Sequence, residues 1–124
     1  MGFAGEQPFR EHGEFATQTG LLYREAMARF DINTLDEIIH GRMRLGIMAY
    51  LIDAGEADFV TLKKLLGATQ GNLSIHLKKL EEAGYIGLTK AFENRKPVTR
   101  AKLTDKGRKA FDDYLQALGQ LLAG

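Results

Sequence analysis

Twelve of the seventeen lysines and arginines in this sequence fall between residues 60 and 109, where only four acids accompany them, a local balance of +8. The remaining residues carry five basic and twelve acidic side chains, so an overall formal charge of +1 conceals two parts of opposite sign. Cations gathered in this way suit a polyanion whose phosphates they neutralise, while the acidic part stays away from it. A merely solvated basic surface gives the same count, and charge alone does not choose between the two readings.

Other chemistries find little support. His12, His40 and His76 are too scattered for a paired-histidine metal site, and without a cysteine no thiolate completes one, so neither a metal nor a cofactor is expected. His76 is expected to hydrogen-bond to backbone or to touch a phosphate, and His40 to close a helix end or pair with Asp36 or Glu37. There is no P-loop, no G-x-G-x-x-G and no defensible Ser/His/Asp set, so an enzyme is not expected. The absence of cysteine suits a reducing compartment. No apolar run approaches the roughly 18 residues of a membrane span, and the first residues lack a basic-then-apolar signal layout. The expectation is a cytoplasmic protein with no membrane partner.

The most informative stretch is residues 69–86, TQGNLSIHLKKLEEAGYI. Thr69 is a good N-cap residue. At about 100° per residue, Leu73, Leu77, Leu80 and Gly84 fall in one narrow sector, with Gly71, Ile75, Lys78, Lys79 and Glu82 opposite and Gln70, Asn72 and Ser74 on the flanks near the start. Short amides and hydroxyls in the first turns of such a helix can read base edges, and the positive end of its dipole favours phosphate. Gly71 costs about 1 kcal/mol of helix propensity against alanine, a cost that makes sense where a backbone must come close to something. The competing reading is an ordinary surface helix with an accidental glycine.

The elements that position this helix are legible in outline. Residues 1–12 form a glycine-rich, aperiodic tail. An N-terminal helix over residues 13–31 carries Phe15, Leu22, Ala26 and Phe30 at helical spacing. Thr34-Leu35-Asp36-Glu37 has the form of a capping box, predicting a second helix from there to Asp53 with a break at Gly41. Its later part, residues 45–52, is apolar on nearly every side and is expected to be buried all round. After a loop over 54–58, Phe59-Val60 predicts a short strand, and residues 61–66 a short helix with Leu62, Leu65 and Leu66 inward. Gly67 ends it, giving a helix-turn-helix with the Thr69 helix. Two β-favouring runs, 85–92 and 98–103, flank the polar link 93–97 and read as a hairpin with a basic tip. Thr104 caps a last amphipathic helix over residues 105–122, with Ala110, Phe111, Tyr114, Leu115, Leu118 and Leu121 on its apolar side.

The strings LDEIIHGRMRLGIMAYL, FVTLKKLLGATQGNLSIHLKKLEEAGYI, FENRKPVTRAKLT and DKGRKAF resemble the winged helix-turn-helix regulators of the MarR/ArsR type. The likeness is closest to their short one-domain bacterial and archaeal group, whose helix reads Gly-Asn-Leu-Ser-x-His-Leu. It covers about residues 35–115, and in combination the strings are highly specific. The resemblance implies a single mainly α domain over residues 1–124 with a small β-hairpin wing (α+β), the winged-helix core being 34–104 and the wing about 85–103. It further implies a homodimeric transcription regulator, expected to act as a repressor on a pseudo-palindromic operator in double-stranded DNA. Carried over residue by residue, it puts Gln70, Asn72, Ser74 and Ile75 in the major groove and Arg95 and Lys96 at the wing tip. Thr69, Lys90 and Arg100 fall near phosphates. Gly71, Lys78, Lys79 and Asn94 complete the expected DNA surface. Ile75 stands where such helices often carry a polar or basic residue.

The dimer surface is expected from Phe15, Leu22, Phe30, Tyr114, Leu118 and Leu121, since the helices outside the helix-turn-helix carry more apolar surface than one small domain needs. An unidentified small-molecule effector is a further candidate partner, because Phe15, Tyr23, Met27, Phe30, Met43, Met48 and Tyr50 suit either a pocket or ordinary packing. A second function class stays open: a winged helix used as a protein-interaction module, its basic face meeting an acidic partner.

Overall fold

The computed structural model describes residue 20, residues 22–27 and residues 30–123. The tail 1–12, Phe15 and much of the expected helix 13–31 lie outside the described residues; residues 22–27 are helical. The chain divides into two compact units, residues 34–118 forming one and residues 1–33 with 119–124 the other.

The larger unit begins with a tight turn and continues through helix α1 (Arg42–Ala54), strand β1 (Glu56–Asp58), helix α2 (Phe59–Leu66), helix α3 (Gln70–Glu82), strands β2 (Ile86–Glu93) and β3 (Lys96–Leu103), and helix α4 (Asp105–Leu122). The strands form one antiparallel sheet in the order β1-β3-β2, with Ala57 opposite Ala101 and Leu88 also opposite Ala101 on the other side. The core gathers Ile39, Ile47, Met48 and Leu51 with Leu62 of α2, Leu73, Leu77 and Leu80 of α3, Ile86 and Leu103 of the sheet, and Phe111 and Tyr114 of α4. Each leucine of the α3 ladder contributes about 2 kcal/mol by leaving water, enough to hold the rotation of that helix about its axis.

Two glycines set close junctions. Gly67 ends α2 in the left-handed conformation, φ 60°, which lets the chain turn into α3 within three residues. At Gly107, in the first turn of α4, an added Cβ would lie 2.1 Å from the Tyr85 carbonyl oxygen, so the helix docks on the start of β2 through bare backbone. Thr104 caps α4 as expected: its Oγ1 accepts from the Gly107 N–H at 2.9 Å and donates to the Gly84 carbonyl at 2.6 Å.

Several expectations need correction. Thr34 does not cap a helix. Ile32–Thr34 is a single 3-10 turn, and α1 starts only at Arg42. Asp36 takes the capping role, its Oδ1 accepting from the Ile38 and Ile39 amides at 2.8 and 3.2 Å, while its Oδ2 accepts from the Tyr85 hydroxyl. A continuous helix would give the carbonyls of Glu37 and Ile38 to backbone amides four residues on. Arg44 takes both instead, Nε donating to Ile38 O and Nη2 to Glu37 O. The short strand lies at Glu56–Asp58, not at Phe59-Val60, because the Asp58 carboxylate accepts from the Thr61 amide at 2.7 Å and turns the chain into α2 at Phe59. Those hydrogen bonds to Thr61 hold the Asp58 carboxyl below its ordinary range. Leu65 is 56% exposed rather than inward, since Leu62 and Leu66, one turn apart, are the pair that face α1. Gly84 lies beyond the end of α3, and Ala49 leaves the otherwise apolar stretch of α1 exposed on one side. The expected five-residue hairpin link is a two-residue turn, Asn94-Arg95, so Lys96 and Pro97 belong to β3. The His40 ring pairs with neither Asp36 nor Glu37: its Nδ1 lies 2.8 Å from the Tyr114 hydroxyl, and only the His40 backbone N–H meets Asp36, donating to its carbonyl at 2.8 Å. Tyr114, expected on the dimer surface, is 2% exposed within its own chain, where burial of the ring and that hydrogen bond hold it.

Candidate nucleic-acid interface

Helix α3 starts where the Thr69 Oγ1 accepts from the Asn72 amide at 3.2 Å, the cap its sequence predicts. Leu73, Leu77 and Leu80 turn into the core, which leaves the face opposite them in solvent. Gln70, Gly71, Asn72, Ser74, Ile75, Lys78 and Lys79 are all exposed. Ile75 is 57% exposed, a branched apolar side chain held in water by the rotation that buries the leucines. Lys78 reaches Glu82 at 3.9 Å, an exposed pair one turn apart that contributes little and leaves the lysine available.

The two flanks of the helix differ. Gln70 and Ser74, one turn apart, line a groove of about 550 Å³ against the hairpin, together with Lys63 of α2 and Lys90, Val98 and Thr99 of the sheet. Asn72 and His76, also one turn apart, face α1, where Arg44 Nη1 lies 2.9 Å from His76 Nδ1. Burial first, then the charges of Arg44 and Lys79, hold the His76 pKa below its ordinary value. This imidazole is therefore paired with a side chain rather than with backbone.

The hairpin carries Lys90, Asn94, Arg95 and Lys96 in the open. Asn94 and Arg95 both have positive φ, 52° and 66°, the two-residue turn whose twist suits paired strands. Asparagine tolerates that conformation; arginine does so at a cost of about 1–2 kcal/mol, and glycine is the relaxed choice. Arg100 is half-buried and grips both Glu93 carboxylate oxygens at 2.9 to 3.2 Å, so its charge serves the hairpin first. The fold brings three further cations to this surface: Lys63, already counted in the basic segment, beside Gln70, and Arg42 and Arg44, which charge counting along the chain missed, beside Asn72. The two arginines sit in the part of the sequence whose net charge is acidic, and only the packing of α1 against α3 reveals them.

Of the expected dimer residues, Leu22 and Phe30 are exposed, and Leu118 and Leu121 are half-buried, Leu118 against the core. Tyr23, Ala26, Met27, Phe30 and Asp31 line an open cavity of about 530 Å³. Met48, a candidate for an effector pocket, is fully buried among core residues instead. No helix among the described residues is long and apolar enough to cross a membrane.

Comparison with known proteins agrees with this geometry. Residues 43–122 match the model of the family described as winged helix DNA-binding domain. The uncharacterised protein MJ0432 of Methanocaldococcus jannaschii is 39% identical over 85 residues, which are 68% of this chain and 92% of that protein. Among solved structures, a transcriptional regulator homologue from Pyrococcus horikoshii OT3 superposes with a TM-score of 0.68 at 29% identity, covering 80% of this chain and 94% of that one. Overoxidised AbfR bound to DNA shares the fold, with a TM-score of 0.60 at 16% identity over 83% of this chain and 74% of its own. The chain belongs to the winged helix DNA-binding domain family.

Proposed function

We propose that this protein is a sequence-specific regulator of transcription that binds double-stranded DNA as a homodimer and represses from a pseudo-palindromic operator. The observation that carries the reading is the outward face of α3, which keeps a glycine, short polar groups and Ile75 in solvent on a helix whose rotation the leucine ladder fixes. Gln70, Asn72 and Ser74 suit hydrogen bonds to base edges, and Ile75 suits the thymine methyl, the one apolar feature of the major groove. Thr69, Lys78, Lys79 and Lys90 are assigned to phosphates, and Asn94, Arg95 and Lys96 to the backbone or minor groove beside them. AbfR, seen bound to DNA, shares the fold and lends support to this docking. Pairing of two copies is supported by Leu22 and Met27, which are 65% and 59% exposed on one short helical stretch. Two such helices related by a two-fold axis would read half-sites about 34 Å apart and exclude other proteins from the bases between them.

Titration of duplex DNA by fluorescence anisotropy tests the reading. With on the order of six phosphate contacts, affinity should fall by about 10³ between 50 and 200 mM salt as counterions are released. A flat salt response sinks the DNA reading and favours a protein partner for the same face. Light scattering of the free protein should give twice the chain mass; a monomer at micromolar concentration refutes the dimer.

A further inference from the structure

The geometry points to a separate phosphate-seating cleft on the flank of α3, formed by Arg42 and Arg44 of α1 with Asn72 and His76, which holds one backbone phosphate of duplex DNA. This deepens the function proposed above and rests on it. The cleft encloses about 310 Å³ and is lined by Gly41, Arg42, Met43, Arg44, Asn72 and His76. None of these side chains is acidic, and among the described residues neither arginine forms an ion pair. Two cations two residues apart with no counter-charge repel each other, and an anion between them relieves that repulsion.

Arg44 is fixed before any ligand arrives. Its Nε donates to Ile38 O, its Nη2 to Glu37 O at 3.4 Å, and its Nη1 to His76 Nδ1 at 2.9 Å. These bonds use three of the five guanidinium N–H groups and leave one on each terminal nitrogen. Arginine has no acceptor, so the His76 nitrogen facing it must carry a lone pair. The neutral ring then bears its proton on Nε2, as a donor. Burial first, then the charges of Arg44 and of Lys79 on its own helix, favour that neutral form. The cleft thus offers the Arg44 N–H groups, the Asn72 amide and the exposed charge of Arg42, a donor set matched to the two free oxygens and single charge of an internucleotide phosphate. A guanidinium already held by backbone carbonyls loses little side-chain freedom on binding.

Its place selects DNA rather than a free oxyanion. Asn72 and His76 lie on the flank of the same turns that carry Gly71 and Ile75, and a helix seated in the major groove runs its flank along the sugar-phosphate backbone. The hairpin lines the opposite flank, so the cleft would grip the strand that the wing does not reach.

The test uses the whole chain and Arg42→Gln, since Arg42 is exposed and makes no hydrogen bond among the described residues whose loss would unfold the helix. The variant should melt as the wild type does and lose affinity for specific and random duplex by the same factor. Its salt slope should fall by about 0.9 for each chain bound. Duplexes neutralised one phosphate at a time by methylphosphonate should reveal one position per half-site that weakens the wild type and leaves Arg42→Gln unaffected. An unchanged slope in Arg42→Gln overturns the inference, as does equal sensitivity of both proteins at every methylphosphonate. Saturable, Arg42-dependent binding of inorganic phosphate with an unchanged slope also overturns it, in favour of a free anion. A wild type that fails to bind duplex at low salt removes the function itself, an outcome distinct from all three.

Discussion

Gly71→Ala should raise the stability of this protein and lower its affinity for DNA, two changes of opposite sign from one methyl group. Gly71 is the second residue of α3 and is exposed, and a Cβ built on it meets nothing within 4 Å. Alanine therefore enters without collision. Against glycine it gains up to about 1 kcal/mol in a helix interior, and about 0.5 kcal/mol is a fair share for the first turn. For a domain near 100 residues that raises the melting temperature by about 2–4 °C. On DNA the same methyl sits where the backbone is proposed to approach the groove, so α3 must withdraw and stretch the bonds from Gln70 and Asn72. Losing one base contact costs about 1–3 kcal/mol, so affinity should drop at least about fivefold. Circular dichroism melting and anisotropy titration on one preparation measure both quantities. Unfolding cannot account for a loss of binding in a protein that has become more stable. A raised melting temperature with unchanged or tighter binding refutes the assignment of this face to DNA.

Gly107→Ala should behave in the opposite way: with its Cβ 2.1 Å from the Tyr85 carbonyl oxygen, α4 must shift and strain the Thr104 amide bond to that oxygen, destabilising by about 2–3 kcal/mol. A melting temperature near that of the wild type would contradict the docking described. Ile75→Ala should leave folding untouched and relax preference at one half-site position by about 1 kcal/mol, while Ile75→Arg shifts it toward guanine, both read by selection from a randomised duplex library. An unchanged motif with a much lower melting temperature would mean the side chain is packed, not reading bases. Arg95→Gly should relax the left-handed turn and yet weaken binding to all sequences alike, with a salt slope lower by about 0.9 per contact; unchanged affinity removes the wing tip from the interface. His76 favours its neutral form in the fold, so the unfolded chain takes up its proton more readily, and this contribution is present at neutral pH and lost as pH falls from about 6.5 through the depressed folded value. Melting temperatures followed downward from pH 7 should decline less steeply in His76→Gln; equal slopes refute the pairing.

What the sequence made legible was whatever a few neighbouring residues decide. The Thr69 and Thr104 caps, the three leucines of α3 and the paired β-runs each rest on spacings inside one element, and each reappears in place. The turn before α1 was not legible, because Thr34 and Asp36 each carry an oxygen able to accept from the amides two and three residues on. The choice falls to Asp36 through partners that local pattern does not contain: the Tyr85 hydroxyl, 49 residues away, and Arg44, which takes the carbonyls a longer helix would have used. The environment of the Tyr85 ring records this: burial, and after it the hydrogen bond to Asp36, push its pKa up to about 12. Tyr114 failed for a related reason. A helical wheel shows which side of α4 is apolar and not whether the surface that covers it belongs to the same chain.

The glycines and the hairpin turn carry the argument one step further. Gly107 is explained from within, since a carbonyl oxygen occupies the space its side chain would need. Gly71 has no such explanation: its surroundings are open, its conformation is helical, and alanine would be the better residue for the free chain. Arg95 is the mirror case, a long charged side chain in a turn position where glycine would be relaxed. At both places the residue present is worse for the isolated fold than the obvious replacement, and at both the position is exposed. Local rules broken without an internal reason are expected where a sequence answers to something outside itself. One site removes bulk and the other adds a cation, which is what close approach to a groove and contact with a phosphate respectively require, so the two departures point to one partner.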